Sequence, residues 1–304
     1  MKTAVIFPGQ GSQVIGMGQD LFENSETVRS LFDLAGKKLG YDLAEICFNG
    51  PEEELSRTRV TQPAIYVHSV AVFRLLEEKG FKADFAAGHS LGEYSALAAA
   101  GFLSFEEGLE LVGLRGRLMQ EAGEKAPGAM AAVIGLDDLR VEKLCRETGD
   151  NVVPANFNAP GQVVVSGSLE GVDKLIEAAQ KAGARLVKKL KVSGAFHSPL
   201  MSYAAAAMRE RLAQAKIIPG RIPVVANVSA GFETEPGRIR DLLVQQITSP
   251  VRWTASVETL AAGGALKLVE AGPGNVLAGL CRRINRNLEI TSIGKIEEIK
   301  AFSA

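Results

Sequence analysis

Five residues, Gly88-His89-Ser90-Leu91-Gly92, carry the sharpest chemical signal in this 304-residue chain. Glycines two before and two after a serine let the backbone turn tightly, so that the hydroxyl stands above the end of a strand where a helix begins. The first N–H groups of that helix have no partner inside it and face whatever oxygen is attacked. The pattern alone is common, and its placement gives it weight. Residues 83–88 read as a short buried strand, and the alanine-rich stretch 95–100 reads as helix. Ser90 is therefore the candidate nucleophile, the alternative being a packing or capping serine.

A serine hydroxyl needs a base, and the chain has three histidines. His68 lies among Ile65, Val67 and Val72 in a helical stretch, where a hydrogen-bonded core histidine is expected. His89 adjoins the nucleophile, so its side chain should diverge from that of Ser90; it can still support the turn. His197 sits in Gly194-Ala195-Phe196-His197-Ser198-Pro199, a loop leaving a strand, and such loops commonly carry functional side chains. It is the candidate general base. Arg115 is the next clue, because Leu111, Arg115 and Leu118 fall at i, i+4 and i+7 on one helical face. An arginine on an apolar face must find an anion or several acceptors, since an unpaired buried charge is costly. Its planar fork matches a carboxylate bidentately. Either a protein Asp or Glu is that partner, or a substrate supplies the carboxylate.

The elements that must place these residues are readable in outline. Residues 2–7 form an apolar run closed by Pro8-Gly9-Gln10-Gly11-Ser12-Gln13, as suits a strand buried on both faces. Pro63 sits where the first turn of a helix would be, and residues 64–78 read helical up to Gly80. Ser104 and Glu107 have capping-box spacing and open a helix to about residue 121. Strands alternating with helices predict an α/β fold with a mainly parallel sheet. From 126 to 192 the rhythm changes. Strands at 129–134, 152–157, 163–166 and 185–192, with helices at 137–148 and 169–182, give the order βαββαβ of a ferredoxin-like unit. The expected division is a large α/β domain, residues 1–125 and 193–304, interrupted by a subdomain at 126–192. Further on, the pattern predicts a strand at 222–228, a helical region from 241, a strand at 265–269, a helix from about 275 and an edge strand at 290–293.

Composition bounds the function. Lys+Arg total 34 against 35 Asp+Glu, a formal charge of −1, so no global basic excess points to nucleic acid. Hydrophobic residues at 46% and charged residues at 23% fit a soluble globular protein. No apolar run approaches the roughly 18–20 residues that cross a bilayer, and Pro8-Gly9 interrupts the N-terminal run before it makes a signal-peptide core. Cys47, Cys145 and Cys281 are odd in number and far apart, with no metal-ligand spacing. They predict reduced thiols in a cytoplasmic protein.

Taken together, the motifs resemble the malonyl-CoA:acyl-carrier-protein transacylase family. Pro8-Gly9-Gln10-Gly11-Ser12-Gln13, Gly88-His89-Ser90-Leu91-Gly92-Glu93-Tyr94, Arg115 and Gly194-Ala195-Phe196-His197-Ser198 occur in that family's order. Asn156-Phe157-Asn158-Ala159-Pro160-Gly161-Gln162, Ser249-Pro250-Val251-Arg252-Trp253 and Glu270-Ala271-Gly272-Pro273-Gly274 also match, so the resemblance spans nearly the whole chain. It implies an α/β-hydrolase-like core with a ferredoxin-like insertion. It also implies an acyl-serine at Ser90, His197 as base, and an oxyanion hole from the N–H groups of Gln10 and Leu91. Arg115 would hold the malonyl carboxylate, and a backbone carbonyl at Gln246, with Gln245 as the neighbouring alternative, would orient the histidine. Phe196 resembles the malonyl-selective form of its motif, where a bulky ring leaves little room for an α-methyl branch.

The implied partners are malonyl-CoA and an acyl-carrier protein, with no nucleic acid, no membrane, no metal and no cofactor beyond the thioester substrate and the carrier's phosphopantetheine. A cytoplasmic monomer of fatty-acid rather than polyketide synthesis is expected. An acidic carrier needs a local basic patch, for which Lys188, Lys189 and Lys191 are one candidate and Arg282, Arg283 and Arg286 another. Two rival readings are a serine hydrolase or thioesterase, indifferent to Arg115, and a carrier-docking module that forms no acyl-enzyme.

Overall fold

The computed structural model describes residues 2–149 and 151–303. Strand β1 (Lys2–Phe7) is apolar and fully buried from Ala4 to Phe7. Val5 and Phe7 face one apolar cluster, Ala4 and Ile6 another. A strand covered on both faces belongs in the middle of a sheet. Five helices follow: α1 (Gln19–Asn24), α2 (Glu26–Leu39), α3 (Leu43–Asn49), α4 (Glu52–Leu55) and α5 (Thr58–Glu78). Then come β2 (Phe85–Gly88), α6 (Gly92–Ala99) and α7 (Phe105–Lys125), the last capped by Ser104 accepting from Glu107 N–H.

The next stretch builds a second sheet: β3 (Gly128–Ile134), α8 (Asp138–Thr148), β4 (Val153–Ala159), β5 (Gln162–Ser168), α9 (Leu169–Lys181) and β6 (Leu186–Lys189). Its four strands are antiparallel in the order β4-β5-β3-β6, the ferredoxin-like arrangement of a βαββαβ unit. Helices α8 and α9 pack on it around Val141, Leu144, Val172 and Leu175.

The chain then returns to the first sheet through α10 (Ser202–Gln214), β7 (Val224–Val225), β8 (Phe232–Glu233), α11 (Pro236–Gln246), α12 (Trp253–Ala262), β9 (Ala265–Ala271), α13 (Val276–Ile284), β10 (Glu289–Ile293) and α14 (Ile296–Ala301). That sheet runs β10-β9-β1-β2-β7-β8, parallel except for the edge strand β8. The fold is a mixed α/β fold with a mostly parallel sheet and a separate antiparallel one. No described helix is long and apolar enough to cross a membrane.

The structure differs from the sequence reading in several places: helices α1 to α4 were not expected, and the strand expected at 185–192 is limited to Leu186–Lys189. Helix α5 starts at Thr58, so Pro63 lies inside it rather than in its first turn. Proline cannot donate to the carbonyl four residues back; that carbonyl, on Arg59, instead accepts the Tyr41 hydroxyl at 3.3 Å. Helix α11 begins at Pro236, five residues before the expected 241, with proline in its first turn. Of the expected strand at 222–228, only Val224–Val225 pairs, because Asn227 turns into the loop that reaches the serine.

Candidate active site

The site begins at the junction of β2 and α6. A Cβ on Gly88 would run into the carbonyl of Gly92, and one on Gly92 into the carbonyl oxygen of Phe7 on β1. Only glycine fits at either position, so helix α6 starts directly above the parallel sheet. Ser90, between them, is held at φ 52°. Such a left-handed conformation costs a non-glycine residue about 1–3 kcal/mol and persists only where neighbours over-determine it. Those neighbours are present. The Ser90 N–H donates to Asn227 Oδ1 at 2.6 Å, and Asn227 Nδ2 donates to the Gly88 carbonyl at 2.6 Å. The Ser90 carbonyl accepts from Gln246 Nε2 at 3.0 Å.

His197 is the second strained residue, at φ 57°. Its loop is pinned by Ser198, whose hydroxyl donates to the Ala195 carbonyl at 2.6 Å and accepts from Leu200 N–H at 3.3 Å. His197 Nε2 lies 2.8 Å from Ser90 Oγ, and Nδ1 lies 2.8 Å from the Gln246 carbonyl oxygen. A carbonyl only accepts, so Nδ1 carries the proton and Nε2 is left to take one from the serine. Burial, and then the Arg115 cation, push the His197 pKa down to about 3, which keeps the ring neutral.

Arg115 is 1% exposed. Its Nη1 donates to Gln62 Oε1 at 2.8 Å, and its Nη2 to Gln246 Oε1 at 2.8 Å and to Ser90 Oγ at 3.1 Å. Its polar contacts among the described residues are thus neutral oxygens, with no carboxylate in ion-pair contact. A buried guanidinium held by amides and a hydroxyl, with its Nε unpartnered among the described residues, beside a nucleophile, is equipped to receive an anion.

The N–H groups of Gln10 and Leu91 meet no acceptor among the described residues, whereas those of Gly92, Glu93 and Tyr94 bond to the carbonyls of His89, Ser90 and Leu91. The Gln10 side chain reaches Thr58 Oγ1 at 3.4 Å, which ties its loop to the start of α5. Phe196 is buried next to His197, in the apolar cluster that includes Leu118 and Met130.

Ser90, His197, Arg115 and Gln246 thus meet in one hydrogen-bonded group, with Gln246 rather than Gln245 in contact with the histidine. His89 faces away, its Nε2 2.8 Å from Asn158 Oδ1. His68 is buried on α5 with Nδ1 unpartnered among the described residues, and burial pushes it down to about 4. It borders a cavity of about 780 Å³, lined also by Val14, Gly274 and Lys295, that none of the serine group lines. The three cysteines are free and buried, each thiol pushed up to about 12 chiefly by burial. No cluster of metal-ligating side chains occurs among the described residues.

Sequence reasoning missed Gln62, Asn227 and Glu93. The available signals were a polar residue just past the C-terminal end of a parallel strand (Asn227), where such sheets place ligands, and charged or amide side chains on otherwise apolar helical faces (Glu93, Gln62).

A family profile described as the acyl transferase domain matches residues 4–297. The malonyl CoA-acyl carrier protein transacylase of Bacillus subtilis (strain 168) is 43% identical over 302 residues, covering 98% of this chain and 95% of the relative. Among solved structures, an acyl carrier protein S-malonyltransferase from Vibrio cholerae is 43% identical with a TM-score of 0.95, covering 99% of both chains. A malonyl-transacylase solved in complex with its holo type II polyketide acyl-carrier protein gives a TM-score of 0.96 at 42% identity, covering 99% of this chain and 98% of that one.

Proposed function

This chain belongs to the acyl transferase domain family, and from that premise we propose that it moves a malonyl group from malonyl-CoA to the phosphopantetheine thiol of an acyl-carrier protein. One observation carries the reading. The buried Arg115 guanidinium stands 3.1 Å from the hydroxyl that His197 contacts at 2.8 Å, and it has no carboxylate in ion-pair contact among the described residues. An acyl donor that places its carbonyl carbon at Ser90 and carries a second carboxylate satisfies both groups at once.

In the proposed mechanism His197 Nε2 takes the Ser90 proton as Oγ attacks the thioester carbonyl. The N–H groups of Gln10 and Leu91 receive the oxyanion; one such donor typically contributes about 3–4 kcal/mol. The tetrahedral intermediate collapses, the C–S bond breaks, and His197 returns the proton to the coenzyme A sulfur. The carrier thiol then enters by the same path in reverse and releases Ser90, a ping-pong cycle through a malonyl-serine ester. The Gln246 carbonyl holds His197 in the required tautomer. Phe196 narrows the acyl pocket against α-branched donors, and a smaller residue there is expected to raise turnover of methylmalonyl-CoA.

We further propose that residues 1–125 and 193–304 form the catalytic domain and 126–192 an inserted subdomain. The chain acts as a monomer in the cytoplasm, in fatty-acid biosynthesis, with no metal or cofactor beyond the two thiol carriers. The carrier protein docks on one of two exposed basic clusters, Lys188, Lys189 and Lys191 or Arg282, Arg283 and Arg286.

The test is intact-protein mass after brief mixing with malonyl-CoA, then with phosphopantetheinylated carrier protein, using Ser90→Ala as control. A malonyl adduct on the wild type alone, discharged to carrier rather than to water, is expected. Loss of the adduct at the same rate without carrier would make the protein a hydrolase, and no adduct at all would remove Ser90 as nucleophile.

A further inference from the structure

Glu93 is a carboxylate buried within one turn of the nucleophile, 2% exposed on α6, and the mechanism above gives it no task. Its Oε2 accepts from Gln246 Nε2 at 2.7 Å and from the Asn227 N–H at 3.1 Å. These two partners are the groups that hold the site together. Gln246 touches Arg115 through Oε1 and His197 through its backbone carbonyl. Asn227 holds the N–H of Ser90 through Oδ1.

A side-chain amide has two ends of opposite polarity, and which end faces which neighbour is decided by those neighbours. Glu93 Oε2 accepts from Nε2 at the shorter distance, 2.7 Å against 3.0 Å for the Ser90 carbonyl, so the carboxyl and that carbonyl together draw Nε2 toward themselves. That leaves Oε1 facing the arginine, the sole orientation in which both contacts are favourable. Were the amide reversed, an NH2 would face a guanidinium and an oxygen would face a carboxylate. The acceptor that Glu93 provides is thereby relayed, through one amide, to a cation that has no carboxylate in ion-pair contact among the described residues.

We propose that Glu93 is a positioning residue for malonyl recognition: by fixing the orientation of the Gln246 amide, it sets the Arg115 guanidinium in place for the substrate carboxylate. The proposal rests on the malonyl-transfer reading above. Because the amide needs only an acceptor at the Oε2 position, a glutamine at 93 can serve in place of the glutamate, and an apolar residue cannot. Burial pushes the Glu93 carboxyl up to about 7, and the charged groups acting on it are Arg115 and Glu233.

The experiment compares kcat/KM for malonyl-CoA with that for acetyl-CoA, which lacks the carboxylate, in wild type, Glu93→Gln, Glu93→Ala and the bulkier Glu93→Met. Thermal melting checks folding, and labelling of Ser90 by a fluorophosphonate reports the serine and histidine independently of the acyl group. In Glu93→Ala or Glu93→Met the malonyl-to-acetyl ratio is expected to fall about tenfold or more, the usual consequence of disturbing a buried charge-assisted hydrogen bond. Glu93→Gln should keep the ratio within about twofold of wild type. A generic packing role would lower both donors together and leave the ratio unchanged, which overturns the proposal. So does a Glu93→Gln variant that loses the ratio, a result available even if the apolar variants fail to fold. A wild type with no malonyl preference would instead remove the malonyl-transfer reading itself.

Discussion

His197 and Arg115 oppose each other electrostatically, and this sets two expectations. His197 is depressed first by burial and then by the neighbouring cation, to about 3. Its neutral, proton-accepting form therefore persists far below the ordinary histidine range near 6.5. The acid limb of kcat/KM should lie below pH 5, and a limb near 6.5 that survives in Glu93→Gln would contradict this. For stability the sign follows from proton counts. Between about pH 6.5 and 3 the unfolded histidine binds a proton that the folded one refuses, so acidification through that window destabilises the fold. Replacing Arg115 with alanine removes the proposed carboxylate clamp and two amide contacts. Malonyl-CoA kcat/KM should fall roughly a hundredfold, since hydrogen bonds to a buried charge are worth about 1.5–3 kcal/mol each. Acetyl-CoA should lose far less, and equal losses for both donors would mean that Arg115 serves packing instead.

The junction of β2, α6 and β1 depends on two glycines for closeness rather than for flexibility. Gly92→Ala must push helix α6 off β1, because its Cβ meets the Phe7 carbonyl. A loss of at least about 3 kcal/mol is expected by chemical denaturation, in the range of severe steric insertions. Gly279, mid-way along α13, has nothing within reach of an added Cβ. Gly279→Ala should therefore stabilise by about 0.4–1 kcal/mol, through the entropy of the unfolded chain. Similar responses from the two variants would sink the steric account. This contrast also marks what a single sequence reveals. Gly88, Ser90 and Gly92 announced the turn because their types are dictated by local backbone geometry, and the βαββαβ unit announced itself by its strand and helix periods. Strand β8 did not, since two paired residues carry no period, and β7 was legible only as part of a longer expected strand at 222–228. Helix α2 was overlooked although Val28, Leu31, Phe32 and Ala35 form a buried stripe behind the Ser25 cap, a signal that was there to read. The Glu93–Gln246–Arg115 chain was illegible for a different reason: its members are 22 and 131 residues from Arg115 in sequence, and only the folded backbone brings them together.

The two sheets are joined beside the group that holds Ser90 and His197. Val251 N–H donates to the Ala155 carbonyl at 2.8 Å, and Phe157 N–H to the Val251 carbonyl at 2.9 Å, which stitches β4 to the loop before α12. Ala159 shares an apolar cluster with Val251, Trp253 and Leu277, so that loop belongs to the core of the larger sheet as well. Across the same seam, Asn158 holds His89, and Ser193 Oγ lies 2.8 Å from Thr58 Oγ1. His197 follows the last strand of the antiparallel sheet, while Ser90, Arg115 and Gln246 hang from the parallel one. A base 2.8 Å from its serine therefore exists only while the sheets stay docked. Backbone pairing plus shared apolar burial makes independent melting unfavourable, as separating the sheets would strand these groups. Calorimetry should show one transition with matching calorimetric and van't Hoff enthalpies. Trp253→Ala, which empties the fully buried centre of the shared cluster, should lower stability by about 3–5 kcal/mol. It should also slow fluorophosphonate labelling of Ser90, although Trp253 contacts neither Ser90 nor His197. Two resolved transitions in the wild type, or normal labelling in a well-folded Trp253→Ala variant, would mean that the active site does not depend on the seam.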